Sequence, residues 1–107
     1  MSGVDSPSND PGATASQPVE HDAAGQRFVI RLPGGEEAVL TYGRSGKILD
    51  FIHTFVPPAL RGQGLADRVV RAGFDYARER GLKVVPSCPY VGTWLRRHPE
   101  EQDLAQR

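Results

Sequence analysis

Apolar and polar residues alternate along the first half of the folded part of the chain. Phe28, Ile30 and Leu32 share one face of a short run whose other face carries arginines, and this two-residue period is typical of a half-buried strand. Two further apolar runs follow, each after a glycine-bearing turn. We therefore expect an antiparallel meander, with strands over residues 26–32, 37–42 and 47–56 and turns over 33–35 and 43–46.

The pattern changes to a helical period at residue 65. Apolar residues recur every three or four positions over 65–80 and form one face, on which Gly73 is small enough to let the helix lie close on a sheet. The opposite face is charged, beginning with Asp67, and we expect solvent to cover it. Gly81 then predicts the end of the helix, as a left-handed C-terminal cap.

A short β-branched run over 82–86 follows the helix. A strand placed there would return parallel to the strand that precedes the helix, as in a β-α-β crossover. The pattern over residues 91–97 predicts a last short helix, which Pro99 ends. Its inward face is apolar and its outward face is charged. The inward residues would be Val91, Trp94 and Leu95, and the outward residues Arg96 and Arg97. The fold class is therefore α+β, with a mixed sheet.

Residues 1–24 differ in composition from the remainder. They are mainly Ser, Gly, Pro, Asp, Ala and Thr, so they bury too little apolar surface to offset the entropy lost on ordering. We predict a disordered tail over 1–24 and a single domain over 25–107. The tail is interpreted as solvated and without a function of its own, with a partner-binding arm as the alternative.

Charge and cysteine content narrow the classes of partner. The formal net charge is zero, but residues 1–22 contain no Lys or Arg, which leaves a small basic excess on the domain. This excess suits an anionic cofactor better than a nucleic acid. Cys88 is the only cysteine, so no internal disulfide can form. No apolar run or signal pattern predicts a membrane segment, and we expect a cytoplasmic monomer or weak dimer.

The stretch between the third strand and the helix predicts an anion site. Pro57 and Pro58 end the strand, because neither can donate to a ladder. Arg61 and Gly64 then lead into the helix, whose first amides have no internal partner and carry the positive end of the helix dipole. A diphosphate can accept hydrogen bonds from these amides. A tight turn without a ligand is the alternative interpretation of the same glycines.

The residues R-x-x-G-x-A, here Arg61, Gly64 and Ala66, resemble the pyrophosphate motif of the GNAT N-acetyltransferase superfamily. The Pro-Pro lead-in and the later segments V-V-P-S-C-P-Y and R-R-H-P-E resemble its short, single-domain members, over about residues 26–101. The resemblance implies a GNAT-like fold and binding of acetyl-CoA, whose pantetheine would insert where the two parallel strands diverge. We place the cofactor contacts at Phe55, Val56, Arg61, Gly62, Gln63, Gly64, Leu65, Ala66, Cys88 and Arg97.

The catalytic candidates are His53, Cys88 and Tyr90. His53 would be a general base near the strand end, where many GNAT enzymes carry a glutamate that this chain lacks, with Phe55 near that place. Cys88 would protonate the CoA thiolate or accept the acetyl group, with basic residues and His53 lowering its pKa. Trp94 and Leu95 occupy the place where the family carries a tyrosine acid, and indole cannot fill that role. His53 and Cys88 could equally be packing residues.

Two functions follow from the resemblance. The first is transfer of acetyl from acetyl-CoA to a primary amine, which could be a protein lysine, a terminal amine or a small amine. The second, as the alternative, is a non-catalytic acyl-CoA-binding module. The missing glutamate and tyrosine favour the module, whereas His53 and Cys88 at the two strand ends favour the enzyme. We expect a shallow acceptor groove, because so short a domain lacks additional elements to enclose a substrate.

Overall fold

The computed structural model describes residues 17–106, which form one mixed sheet covered on one face by helices. The five strands follow chain order across the sheet, and the first four are antiparallel while the last pair is parallel. The strands are β1 (Val19–Asp22), β2 (Arg27–Arg31), β3 (Glu37–Ser45), β4 (Ile48–Phe55) and β5 (Lys83–Val85). The helices are α1 (Leu65–Arg80) and α2 (Pro89–Arg96), with 3-10 turns at Pro33–Gly35, Pro58–Leu60 and Pro99–Leu104.

The α+β class, the meander and the β-α-β unit are confirmed, and α1 has the predicted bounds. β1 corrects the prediction of disorder over 1–24, because residues 19–22 pair with β2. His21 explains this order: its ring stacks on Phe28 at 4.4 Å between centroids, and its Nε2 lies 2.6 Å from the hydroxyl oxygen of Tyr42. Composition did not predict a strand whose stability comes from contacts with distant residues. Residues 1–16 lie outside the described part.

The β3–β4 hairpin also differs from the prediction. β3 continues to Ser45, so the predicted turn over 43–46 is shorter and centred on Gly46. Thr41 pairs with His53 whereas Tyr42 pairs with Phe51, which leaves Ile52 as the extra residue of a bulge. A bulge shifts the alternation of faces, and consequently Ile52 and His53 are both exposed.

Helix α1 packs across the core face of the sheet. A Cβ added at Gly73 would lie 2.8 Å from Cζ of Phe51 and 2.9 Å from Cδ2 of Leu40, so the absence of a side chain sets the helix-to-sheet distance, as predicted. The other sheet face, opposite α1, is called the open face below. Val29 is fully buried on it, between neighbours on β1 and β3.

The C-terminal elements close the edge of the sheet beside β5. Val91, Trp94 and Leu95 of α2 are buried, as predicted. The 3-10 turn after α2 is bound to α1 by the buried carboxylate of Glu101, which lies 2.8 Å from Arg71 and 3.0 Å from Arg78. Among residues 17–106, no helix combines the length and apolarity needed to cross a bilayer.

Candidate functional site

A cavity of about 420 Å³ lies where β4 ends and α1 begins. Its walls come from three elements: the last residues of β4, the loop before α1 with the first turn of that helix, and the start of α2. The lining residues are Thr54, Phe55, Val56, Arg61, Gly62, Gly64, Leu65, Ala66, Asp67 and Tyr90. Its position at the carboxyl end of β4 and the amino end of α1 gives it both backbone amides and apolar surface.

Two glycines shape the loop that enters α1. Gly62 and Gly64 have φ angles of 86° and 78°, a region in which residues with a Cβ are strained. Gly64 is the residue before the first turn of α1, and no side chain caps that end of the helix. An anion could therefore bind to the first amides of α1.

Arg61 has a structural contact that the sequence did not predict. Its Nε donates a hydrogen bond to the carbonyl of Val56, at 3.0 Å. This bond closes the loop over Pro57 and Pro58 and holds the guanidinium at the wall of the cavity. Arg61 therefore fixes the end of β4 in addition to supplying positive charge.

Cys88 lies at the divergence of the two parallel strands. The last parallel pair joins Asp50 and Val85, after which the amide of Cys88 donates to the carbonyl of Phe51 at 2.9 Å. The thiol is buried, with its Sγ 3.6 Å from Oγ1 of Thr54. The predicted position beside β4 is thus observed, but the neighbour of the thiol is Thr54.

The pKa of Cys88 is lowered by hydrogen bonds. Burial is the largest influence and raises the pKa, but hydrogen bonds from the backbone of Val91, the side chain of Thr54 and the backbone of Tyr90 together outweigh it. These groups include the start of α2, where amides favour a negative charge. The pKa of Cys88 is thus lowered as expected, but by these hydrogen bonds and not by basic residues or His53.

Tyr90 and Asp67 face the cavity from two different helices. Burial raises the pKa of Tyr90, the charge of Asp67 raises it further, and Arg97 opposes both. Asp67 accepts a hydrogen bond from Nε1 of Trp94 at 2.7 Å. Trp94 itself is stacked between the rings of Phe74 and His98, so Asp67 is held by a rigid aromatic group.

Most predicted cofactor residues therefore lie together, and four predicted site residues do not line the cavity. Phe55, Val56, Arg61, Gly62, Gly64, Leu65, Ala66 and Tyr90 line it, whereas His53, Gln63, Cys88 and Arg97 do not. Cys88 is behind Thr54, within hydrogen-bonding reach of a lining residue. His53 is exposed at the bulge.

Thr54 and Asp67 are the lining residues that the sequence analysis missed. Asp67 was assigned to a solvent-covered helix face, and its side chain is indeed half exposed, but it also borders the cavity. Its position in the first turn, three residues after Gly64, was the available signal. Thr54 could not be assigned to the core side, because the bulge at Ile52 changes which face it occupies.

Comparison with known proteins agrees with this architecture. A family model described as GCN5-related N-acetyl-transferase matches residues 27–104. The proteins named NATD1 from Gallus gallus and Homo sapiens are each 40% identical over 88 residues, covering 80% of this chain and 80% and 78% of theirs. A GCN5-like protein from Staphylococcus aureus, solved by NMR, shares the fold with a TM-score of 0.68 and 24% identity, covering 86% of this chain and 90% of its own. The chain belongs to the GCN5-related N-acetyltransferase family.

Proposed function

We propose that this protein transfers an acetyl group from acetyl-CoA to a primary amine. The observation that carries the proposal is the cavity at the amino end of α1, where Gly62 and Gly64 open the backbone and no side chain caps the helix. A diphosphate would accept hydrogen bonds from these amides, and Arg61 would add charge. Phe55 and Val56 would contact the pantetheine along the end of β4.

The chemistry requires an acid for the departing thiolate. Tyr90 lines the cavity, and its raised pKa keeps the phenol protonated at neutral pH, as such an acid requires. Cys88 is the second candidate, because its lowered pKa suits a nucleophile or an exchangeable proton. His53 is exposed at the bulge and would accept the proton of the incoming amine through solvent. Arg97 would contribute only its positive charge, which lowers the pKa of Tyr90.

A non-catalytic acyl-CoA-binding module is the second candidate. Trp94 favours it, because this buried residue of α2 donates its only polar hydrogen to Asp67 and has no acidic proton to give. Under this proposal the cavity binds the cofactor, but no acceptor is acetylated. Gln63 and the other residues of the loop before α1 would contact the cofactor under both proposals.

Calorimetry with acetyl-CoA, followed by an assay of thiol release, tests both proposals. Acetyl-CoA should bind much more tightly than acetyl-pantetheine, because only the former carries the diphosphate. Thiol release is then measured with small amines, amino acids and lysine peptides as acceptors. Equal affinities for the two thioesters would contradict binding at the α1 amides.

Measurement of turnover distinguishes the two candidate functions. Tight binding without thiol release on any acceptor favours the module, whereas amine-dependent release together with an acetylated product favours the enzyme. Mass spectrometry after incubation with acetyl-CoA alone detects acetyl-Cys88 if transfer proceeds through the thiol. A cytoplasmic location and a monomer or weak dimer stay predictions, which fractionation and sedimentation would test.

A further inference from the structure

Asp67 is the third residue of α1, and its carboxylate is bound away from the start of that helix. The first amides of a helix lack an internal partner and carry the positive end of its dipole. An acidic side chain at the third position is attracted to this end and can bond back to those amides. Within residues 17–106, however, Asp67 accepts its hydrogen bond from Nε1 of Trp94, at 2.7 Å and 27 residues later. The carboxylate is therefore held toward α2.

Trp94 is the hydrogen-bond donor that fixes this carboxylate. Nε2 of His98 lies 4.0 Å from the same oxygen, Oδ1, but Nδ1 of that ring lies 2.7 Å from the carbonyl oxygen of Trp94. A carbonyl oxygen can only accept, so Nδ1 carries the proton, and Nε2 of the neutral imidazole has none to donate. The position of Asp67 thus depends on the indole N–H when His98 is neutral.

The indole ring is itself held rigidly. Phe74 of α1 stacks on it with 4.9 Å between ring centroids, and His98 stacks on it with 3.9 Å. The guanidinium carbon of Arg71 lies 4.9 Å from the centre of the same ring. Trp94 is buried within this cluster, so its N–H has a fixed position relative to the first turn of α1.

The cavity borders both the first amides of α1 and the carboxylate of Asp67. Gly62, Gly64, Leu65 and Asp67 all line it. A carboxylate bonded to the first amides would occupy the positions that a diphosphate needs, and its charge would repel the diphosphate. Because Trp94 holds the carboxylate elsewhere, those positions are left to a ligand.

We propose that Trp94 is a positioning residue for the cofactor, because its indole N–H holds the Asp67 carboxylate away from the amides that would bind the diphosphate. The inference rests on the proposed binding of acetyl-CoA at these amides, and it applies equally to the enzyme and to the binding module. Trp94 is not among the residues that line the cavity, so it would act through Asp67. This gives a role to the indole that stands where the resemblance implies a tyrosine.

A double-mutant cycle tests the proposal with wild type, Trp94→Phe, Asp67→Ala and the double variant. Phenylalanine keeps an aromatic ring in the stack but has no N–H, so Asp67 can turn to the amides. Calorimetry should show acetyl-CoA binding about fivefold more weakly to Trp94→Phe, near ~1 kcal/mol. Asp67→Ala should bind it more tightly than the wild type, because a negative charge beside the diphosphate is removed. In the Asp67→Ala background, Trp94→Phe should cause no further loss of affinity.

Two controls separate this effect from packing. Acetyl-pantetheine lacks the diphosphate and should bind equally to the wild type and to Trp94→Phe. Phe74→Leu disturbs the same ring stack but keeps the Trp94 N–H, so it should lower the melting temperature and leave acetyl-CoA affinity unchanged. An affinity loss in Trp94→Phe that persists in the Asp67→Ala background would overturn the inference and make Trp94 a packing residue. Wild-type affinity of Trp94→Phe, or weaker binding by Asp67→Ala, would also overturn it.

Amide hydrogen exchange tests the position of Asp67 without a cofactor. Exchange of the amides of residues 64–66 should be slower in Trp94→Phe than in the wild type, because Asp67 then bonds to them. Unchanged exchange would overturn the inference. Slower exchange, combined with equal affinity of the wild type for acetyl-CoA and acetyl-pantetheine, would support the role of Trp94 in holding Asp67 and contradict the proposed diphosphate site instead.

Discussion

Replacement of Gly64 by valine tests the proposed diphosphate site most directly. Gly64 has a φ of 78° at the start of α1, and a Cβ placed there meets no protein atom within 4 Å. The side chain would therefore enter open space above the first helical amides without a clash in the free protein. Its cost in stability comes from the backbone, and its effect on affinity comes from the ligand.

The loss of stability and the loss of acetyl-CoA affinity in Gly64→Val differ in size. A left-handed backbone costs an L-residue about 1–2 kcal/mol, with β-branched valine toward the upper end. For a domain of this size, each 1 kcal/mol lowers the melting temperature by about 4–8 °C. Hydrogen bonds to a charged group contribute about 1.5–3 kcal/mol each. Loss of two amide contacts to the diphosphate would thus weaken acetyl-CoA binding at least about 100-fold.

Gly46→Val is the matched control, because Gly46 also has a positive φ, 59°, with open space around it, and lies in the distant β3–β4 turn. Both variants should lose similar melting temperature, but only Gly64→Val should lose acetyl-CoA affinity in calorimetry. Gly64→Asn adopts the left-handed region more easily, so it should melt closer to the wild type and still bind weakly. Normal binding by a folded Gly64→Val protein would show that the diphosphate site is elsewhere.

Four further outcomes are expected. Gly73→Ala should destabilise the fold by about 1–3 kcal/mol through overpacking, less the ~1 kcal/mol gained in helix propensity; a raised midpoint in urea would refute this packing argument. Deletion of residues 1–24 should lower the melting temperature markedly, because β1 is lost with the His21 contacts, and an unchanged melting temperature would show that β1 contributes nothing. Cys88→Ala should retain acetyl-CoA binding and lose at least about tenfold in turnover, near ~1.4 kcal/mol of barrier; full turnover would make Cys88 a packing residue. Burial and the charge of Arg80 lower the pKa of His21 below the 6.5 that is usual for histidine, so the unfolded chain binds more protons just below pH 6.5 and stability should decrease as the pH falls through that range. His21→Gln should flatten this decrease in thermal melts, and an equal slope in both proteins would assign the titration to another group.

Local patterns were sufficient for the regular elements. The bounds of α1 were predicted to the residue, because an apolar stripe, a preceding loop with Gly64 and a terminal Gly81 are all encoded within a few positions. The loop that enters the cavity was predicted for the same reason, since its glycines are required by its own backbone geometry.

Features that depend on contacts between distant residues could not be predicted from the sequence. β1 forms because His21 binds Tyr42 and stacks on Phe28. The composition of this segment, mainly small polar residues, does not indicate either contact.

The bulge at Ile52 depends on the pairing of β3 with β4. It moves Thr54 to the side of Cys88 and leaves His53 exposed, so a strict alternation assigns the wrong faces at the site. Asp67 faces the cavity because Trp94, 27 residues later, fixes its carboxylate. The sequence by itself therefore determined the elements and the loop that could bind a diphosphate. The tertiary structure decided which side chains meet around that loop. The residues in contact are far apart in the sequence, so no local pattern predicts that they meet.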